Sequence, residues 1–205
     1  MSAAYHHGDL KTVLIAYARA QMESVSIDGL SLREIAKAVG VSHTAAYRHF
    51  ADKRALLDAV AVQGFEEMRR ACLSASEEAP DDARARLRAC GLAYVRFALA
   101  SPRMLAHMFI AMSDVQASTA LASAGAGLFD VLRCRVAEGQ ARGTFRNGDV
   151  HQLSHACWAL VHGCSTLLSA GLLNTTGNDH RQAMAAAEQA ISTFLDGLVD
   201  HSARK

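Results

Sequence analysis

The sequence predicts an all-helical protein of about nine helices. Only two prolines interrupt 205 residues, Pro80 and Pro102. Alanine and leucine are abundant while aromatic and β-branched residues are sparse, so propensity favours helix over strand nearly throughout. Apolar residues also recur at three- and four-residue spacing in one segment after another. About half of the residues are apolar, enough to bury a core in one large or two modest domains.

Taken in order, Asp9 is placed to cap a first helix in which Leu10, Val13, Leu14, Tyr17 and Ala18 share a face, running to about Glu23. The segment SVSIDGL breaks it. Ser31 followed by Glu34 is a capping box, and Leu32, Ile35, Ala36 and Val39 form the apolar stripe of a second helix that Gly40 ends. Ser42 can cap a third, HTAAYRHF, and Asp52 a fourth, whose stripe includes Leu56, Leu57, Val60 and Phe65 and fades near Ser76. The acidic stretch SASEEAPDD is the clearest break in composition. Five further helical patterns follow at about 81–100, 102–112, 115–141, 149–171 and 179–200, with Gly143, Asn147 and Gly148 punctuating the gap before the fourth of these.

Net charge is close to neutral but unevenly distributed. Residues 1–54 hold seven lysines and arginines (Lys11, Arg19, Arg33, Lys37, Arg48, Lys53, Arg54) against five acids (Asp9, Glu23, Asp28, Glu34, Asp52). Four histidines, His6, His7, His43 and His49, lie in the same stretch. A modest positive potential therefore sits at one end. No apolar run approaches the roughly 18 to 20 residues needed to cross a bilayer, and the start lacks a basic segment followed by an apolar core, so a cytoplasmic protein with no membrane partner is expected. Cys72, Cys90, Cys134, Cys157 and Cys164 are odd in number and form no CxxC pair, which predicts buried, reduced thiols. The chain has no GxSxG, P-loop or HExxH, so no enzyme is predicted.

The second and third helical patterns carry the chemistry. A helix-turn-helix needs a small residue where its helices cross and a turn glycine able to take a positive φ, and Ala36 and Gly40 meet both demands. Val41 and Ala46 then face inward, leaving His43, Thr44, Ala45, Tyr47 and Arg48 on the side that can enter a major groove.

The run from Tyr5 to Phe65, and above all GVSHTAAYRHFADKRALL, resembles the N-terminal DNA-binding head of the TetR family of transcriptional regulators. The resemblance implies that Tyr47, His49 and Lys53 hold the phosphate backbone, that the amide of Ser31 meets a phosphate, and that Ser42, His43, Thr44, Ala45 and Arg48 read bases or adjacent phosphates. The sequence departs from the commonest form at Thr44 and Ala45, where a glycine and a Thr or Ser are more usual. The expected division is residues 1–54 for DNA binding, with the helix-turn-helix at about 31–50, and residues 55–205 for effector binding and dimerisation.

WALVHGCSTLLSAG, residues 158–171, resembles a Trp-His-Gly signature of one TetR subgroup's C-terminal domain. Candidates for lining an apolar effector pocket are Phe97, Met104, His107, Met108, Phe109, Met112, Trp158 and His162, because methionine and aromatic side chains adapt to apolar ligands. Ala156, Ala159, Gly163 and Ala170 form a small-residue stripe on the eighth helix, while Ala187, Ile191, Phe194, Leu195 and Leu198 give the ninth an apolar face. The family pairs its last two helices with those of a second copy. The reading is then a homodimeric repressor released from a palindromic DNA operator by a small apolar effector, with no cofactor or metal assigned. The alternatives are a ligand-independent DNA-binding dimer, and a metal- or haem-sensing regulator using His151, His155 and His162 with Cys157 or Cys164 nearby.

Overall fold

The computed structural model describes residues 10–24, 31–173 and 180–199. Asp9 and the histidines His6 and His7 lie outside them. Among the described residues there are nine helices and no strand: α1 (Leu10–Ser24), α2 (Leu32–Ala38), α3 (His43–Tyr47), α4 (Lys53–Glu78), α5 (Ala83–Ala100), α6 (Pro102–Ser113), α7 (Thr119–Ala141), α8 (Val150–Ser169) and α9 (His180–Leu198). α3 stops three residues earlier than its apolar pattern suggests. The His49 amide bonds the Ala46 carbonyl, a tightened last turn, and Phe50 then turns inward.

Packing divides the chain into two compact units. The first takes the residues up to Gly64 together with Arg103–Ala124, and the second takes Phe65–Pro102 with Gly125 onward. These are packing units and follow a different line from the 54/55 division expected on functional grounds.

In the first unit, Leu10, Leu14, Ala18 and Met22 recur at four-residue spacing on α1 and are all buried. Leu32, Ile35 and Ala36 from α2, Ala46 from α3, Phe50, and Leu56, Val60 and Ala61 from α4 are buried with them. Helices as short as α2 and α3 are unstable alone in water, and α1 supplies the surface that holds both. On α6, Met104 and Met108 are fully buried; a Cβ added at Gly64 would lie 2.7 Å from the Met108 sulfur, so α4 has no side chain at the point of closest approach.

The second unit is built on α5, which packs against both α8 and α9. Its core joins Leu87, Val95, Val136, Phe145, Leu153, Leu168, Ala187, Ile191, Leu195 and Leu198. Phe145 lies on Gly139, where any Cβ would collide with the ring at 2.0 Å. The following amide, of Arg146, donates to the Leu198 carbonyl at 2.9 Å, tying the α7–α8 connection to the end of α9. Ala187, Ile191, Leu195 and Leu198 of α9 are thus buried inside their own chain, while Phe194 is half-buried. Ala156 and Ala159 on α8, and Ala170 at its C-cap, are exposed. Four cysteines are buried as expected, whereas Cys134 on α7 is exposed.

Candidate nucleic-acid interface

Local hydrogen bonding builds the head. Ser31 sits in extended backbone (φ −114°, ψ 149°), and its Oγ accepts from the Glu34 amide at 3.1 Å while Glu34 Oε2 accepts from the Ser31 amide at 3.0 Å. The Ser31 hydroxyl also donates to Oε2 at 2.7 Å. These bonds, first the side-chain one and then that from the Ser31 amide, hold the Glu34 carboxyl below its ordinary range, and the Lys53 charge adds to the effect. α2 ends in a Schellman motif: the Gly40 amide bonds the Lys37 carbonyl at 3.2 Å and the Val41 amide bonds the Ala36 carbonyl at 3.0 Å. Gly40 takes φ +77°, a conformation that costs other residues about 1 to 2 kcal/mol.

The turn delivers the chain directly to Ser42, whose Oγ accepts from the Ala45 amide at 3.2 Å and starts α3. Asp52 Oδ1 accepts from the Ala55 amide at 2.8 Å and starts α4. Between these two caps, Ala46 and Phe50 face the core. His43, Thr44, Arg48 and His49 are exposed, and Tyr47 keeps 49% of its surface open despite its size. Ser31 and Ser42 are exposed; Ala45 and Lys53 are half-buried. An apolar residue is therefore buried on one side of α3 while imidazole, hydroxyl, phenol and guanidinium groups stand on the other. That combination can hydrogen-bond base edges and phosphates together. The Ser31 amide is already bonded to Glu34, so a phosphate there would replace a carboxylate.

The residues predicted to line a pocket fall into two groups. In the first unit Met104, His107 and Met108 are buried, and Phe109 and Met112 are half-buried. His107 Nε2 donates to the Leu57 carbonyl at 2.9 Å, which places its proton on Nε2 and satisfies it inside the core. In the second unit Phe97, Trp158 and His162 are half-buried. Trp158 and His162 come together with ring centroids 6.0 Å apart.

Tyr94, which the sequence reading missed, joins them. Its hydroxyl lies 2.9 Å from His162 Nδ1. Burial raises the Tyr94 pKa well above its ordinary value, partly offset by a hydrogen bond from Trp158. Burial lowers that of His162. Both shifts favour the neutral forms, so the bond joins a neutral phenol to a neutral imidazole. A tyrosine within the apolar pattern GLAYVRFA was the available signal, since a buried phenol needs a partner. Phe129 continues the aromatic run to His155 (5.0 Å) and His151 (5.4 Å), and those two imidazoles lie 4.3 Å apart. Among the described residues, no group of three or more His, Cys, Asp or Glu side chains gathers at a metal-binding spacing. Burial pushes the Cys157 thiol up to about 12, which keeps it protonated.

A capped helix-turn-helix with an exposed polar reading face, followed by a larger helical body, defines a DNA-binding regulator. Comparison with known proteins makes this specific. Residues 14–60 match the family described as bacterial regulatory proteins, tetR family, and residues 87–194 match the tetracyclin repressor-like C-terminal domain. The chain belongs to the TetR family of transcriptional regulators.

Among solved structures, a protein of unknown function from Rhodococcus sp. RHA1 is 38% identical, with a TM-score of 0.88 over 97% of this chain and 100% of that one. A TetR-family transcriptional regulator from Pectobacterium atrosepticum shares the fold at 18% identity and a TM-score of 0.72, covering 97% of this chain and 98% of that one. Another from Marinobacter aquaeolei shares it at 18% identity and a TM-score of 0.69, covering 93% and 96%. No curated protein matches the sequence. No described helix is long and apolar enough to cross a membrane.

Proposed function

We propose that this protein is a homodimeric, ligand-responsive repressor that binds a palindromic DNA operator in the cytoplasm, with α3 of each subunit in the major groove. The observation that carries the reading is the division of α3 into a buried Ala46 and an exposed polar face. Tyr47, His49 and Lys53 hold phosphates, as does the Ser31 amide once Glu34 gives way. Ser42, His43, Thr44, Ala45 and Arg48 contact bases or neighbouring phosphates. Residues 1–54 then serve DNA binding and residues 55–205 serve effector binding and dimerisation.

Dimerisation runs through α8 and α9, supported by the exposed small residues Ala156, Ala159 and Ala170 and the exposed Leu167 beside them. Close helix approach is what small side chains permit. The effector is a small, largely apolar molecule; its candidate contacts are Phe97, Trp158 and His162 in the second unit, or else Met104, His107, Met108, Phe109 and Met112 in the first. Tyr94 adds a polar anchor beside Trp158 and His162. The effector favours a spacing of the two heads that no longer matches successive major grooves, which lie about 34 to 36 Å apart.

Thermodynamics requires the two ligands to oppose each other reciprocally. The test measures binding of an operator-releasing compound to the dimer with and without operator. The affinity should fall on the operator by the same factor by which the compound weakens DNA binding; equal affinity in both states refutes the switch. One observation favours a dimer that needs no effector: Met104 and Met108 close on Gly64 and His107 is satisfied by Leu57, so this part of the candidate set is packed as core.

A further inference from the structure

The first unit contains a solvent-open cleft of about 620 Å³ whose lining, His49 apart, has no role assigned above. Its volume is that of a site for a small organic molecule. α1 contributes Lys11 and Ile15, α4 contributes Arg54, Asp58, Ala59 and Val62, and the segment entering α7 contributes Gln116 and Ser118. We propose that this cleft binds an organic monoanion with an apolar body, at a site separate from the effector contacts named above.

The charge argument is specific. Lys11 and Arg54 are both exposed, and among the described residues neither forms an ion pair with a carboxylate. Arg54 Nη1 donates to the Gln116 carbonyl, a neutral partner that leaves its charge uncancelled. The one carboxylate in the lining, Asp58, is only 6% exposed, and its Oδ2 accepts from the Ser118 amide at 3.1 Å. The negative group is thus turned into the wall, while the two cationic side chains line the cleft at exposed positions. Ile15, Ala59 and Val62, each half-buried, add an apolar part to the same lining. Inorganic phosphate would satisfy the cations and leave that surface wet; a neutral apolar compound would do the reverse. His49 lines the same cleft, so a bound anion lies beside a side chain assigned above to a DNA phosphate. That consequence rests on the DNA-binding reading, whereas the binding test uses no DNA.

The test is calorimetric titration of the full chain with 2-naphthoate and with 2-naphthamide, which matches it in shape and lacks the charge. One naphthoate should bind per chain, with the amide about tenfold weaker, the usual worth of a charged hydrogen bond. Lys11→Gln and Arg54→Gln should weaken the acid and leave the amide unchanged, and Ala59→Phe should abolish both by filling the cleft. Thermal melts verify that each variant is folded, and Lys11→Gln, at an exposed position, stands in if Arg54→Gln does not fold. Absence of naphthoate binding, equal affinity for acid and amide, or undiminished binding by folded Lys11→Gln and Ala59→Phe overturns the proposal.

Discussion

Glu34 closes back onto Ser31 through three hydrogen bonds, so the residue that starts α2 has its amide and hydroxyl engaged by a carboxylate three positions on. Glu34 is held ionised to lower pH than a free glutamate. A carboxyl depressed in the folded state stabilises fully above its unfolded pKa and loses that contribution as pH falls through the folded value. Thermal melts from pH 6 downward should therefore show a shallower acid loss for Glu34→Gln than for the wild type. Superimposable pH profiles would contradict the assignment.

Removing caps and the turn glycine should weaken the head in a graded way. Ser42→Ala should cost about 1 kcal/mol in urea unfolding, the usual value of an N-cap. Gly40→Ala meets no atom within 4 Å, so its cost should be that of the backbone alone, about 1 to 2 kcal/mol. A much larger loss would mean that packing around Gly40 is tighter than the structure has it.

Local signals of this kind explain why the head was legible from the sequence. Ser31 with Glu34, Ser42, Asp52 and Gly40 each act within five residues, and all four were readable as caps or turns. The second unit was less legible because its decisive contacts are distant. Tyr94 meets His162 across 68 residues, and no spacing rule pairs them. Periodicity also says that a helix face is apolar without saying what covers it. Ile191 and Leu195 looked available for a second copy, yet they pack into their own chain's core. Cys134 sits in an apolar-looking helix but on its outer side.

Burial of His162 gives a second pH signature of the same sign through different chemistry. A histidine whose folded pKa is lowered binds its proton later than in the unfolded chain, so stability is complete above about 6.5 and declines as pH falls through the window down to the folded value. His162→Gln should flatten that part of the profile. Tyr94→Phe should cost about 1 kcal/mol at pH 8 by removing a buried hydrogen bond, measured by denaturant unfolding.

Ala159 is exposed on α8, so Ala159→Arg should leave the helical content of the chain intact. If α8 joins the two copies, the same substitution should convert the dimer to a monomer in analytical ultracentrifugation. An unchanged dimer would move the interface elsewhere.

Phosphate and base contacts should separate in their response to salt. Lys53→Ala should weaken binding to every duplex and lower the slope of log affinity against log salt by roughly one. His43→Ala should instead change which bases are preferred. Loss of all sequence discrimination from Lys53→Ala would contradict its assignment to the backbone.

The central claim is that α3 reads DNA as one half of a symmetric pair, and selection of bound duplexes from a random pool by the full chain tests it most directly. The account predicts an enriched palindrome with half-sites centred about 10 to 10.5 base pairs apart or a multiple of that, and a His43→Ala variant that enriches a different sequence at the same spacing. An enriched motif lacking two-fold symmetry, or one unchanged by His43→Ala and Arg48→Ala together, would contradict it.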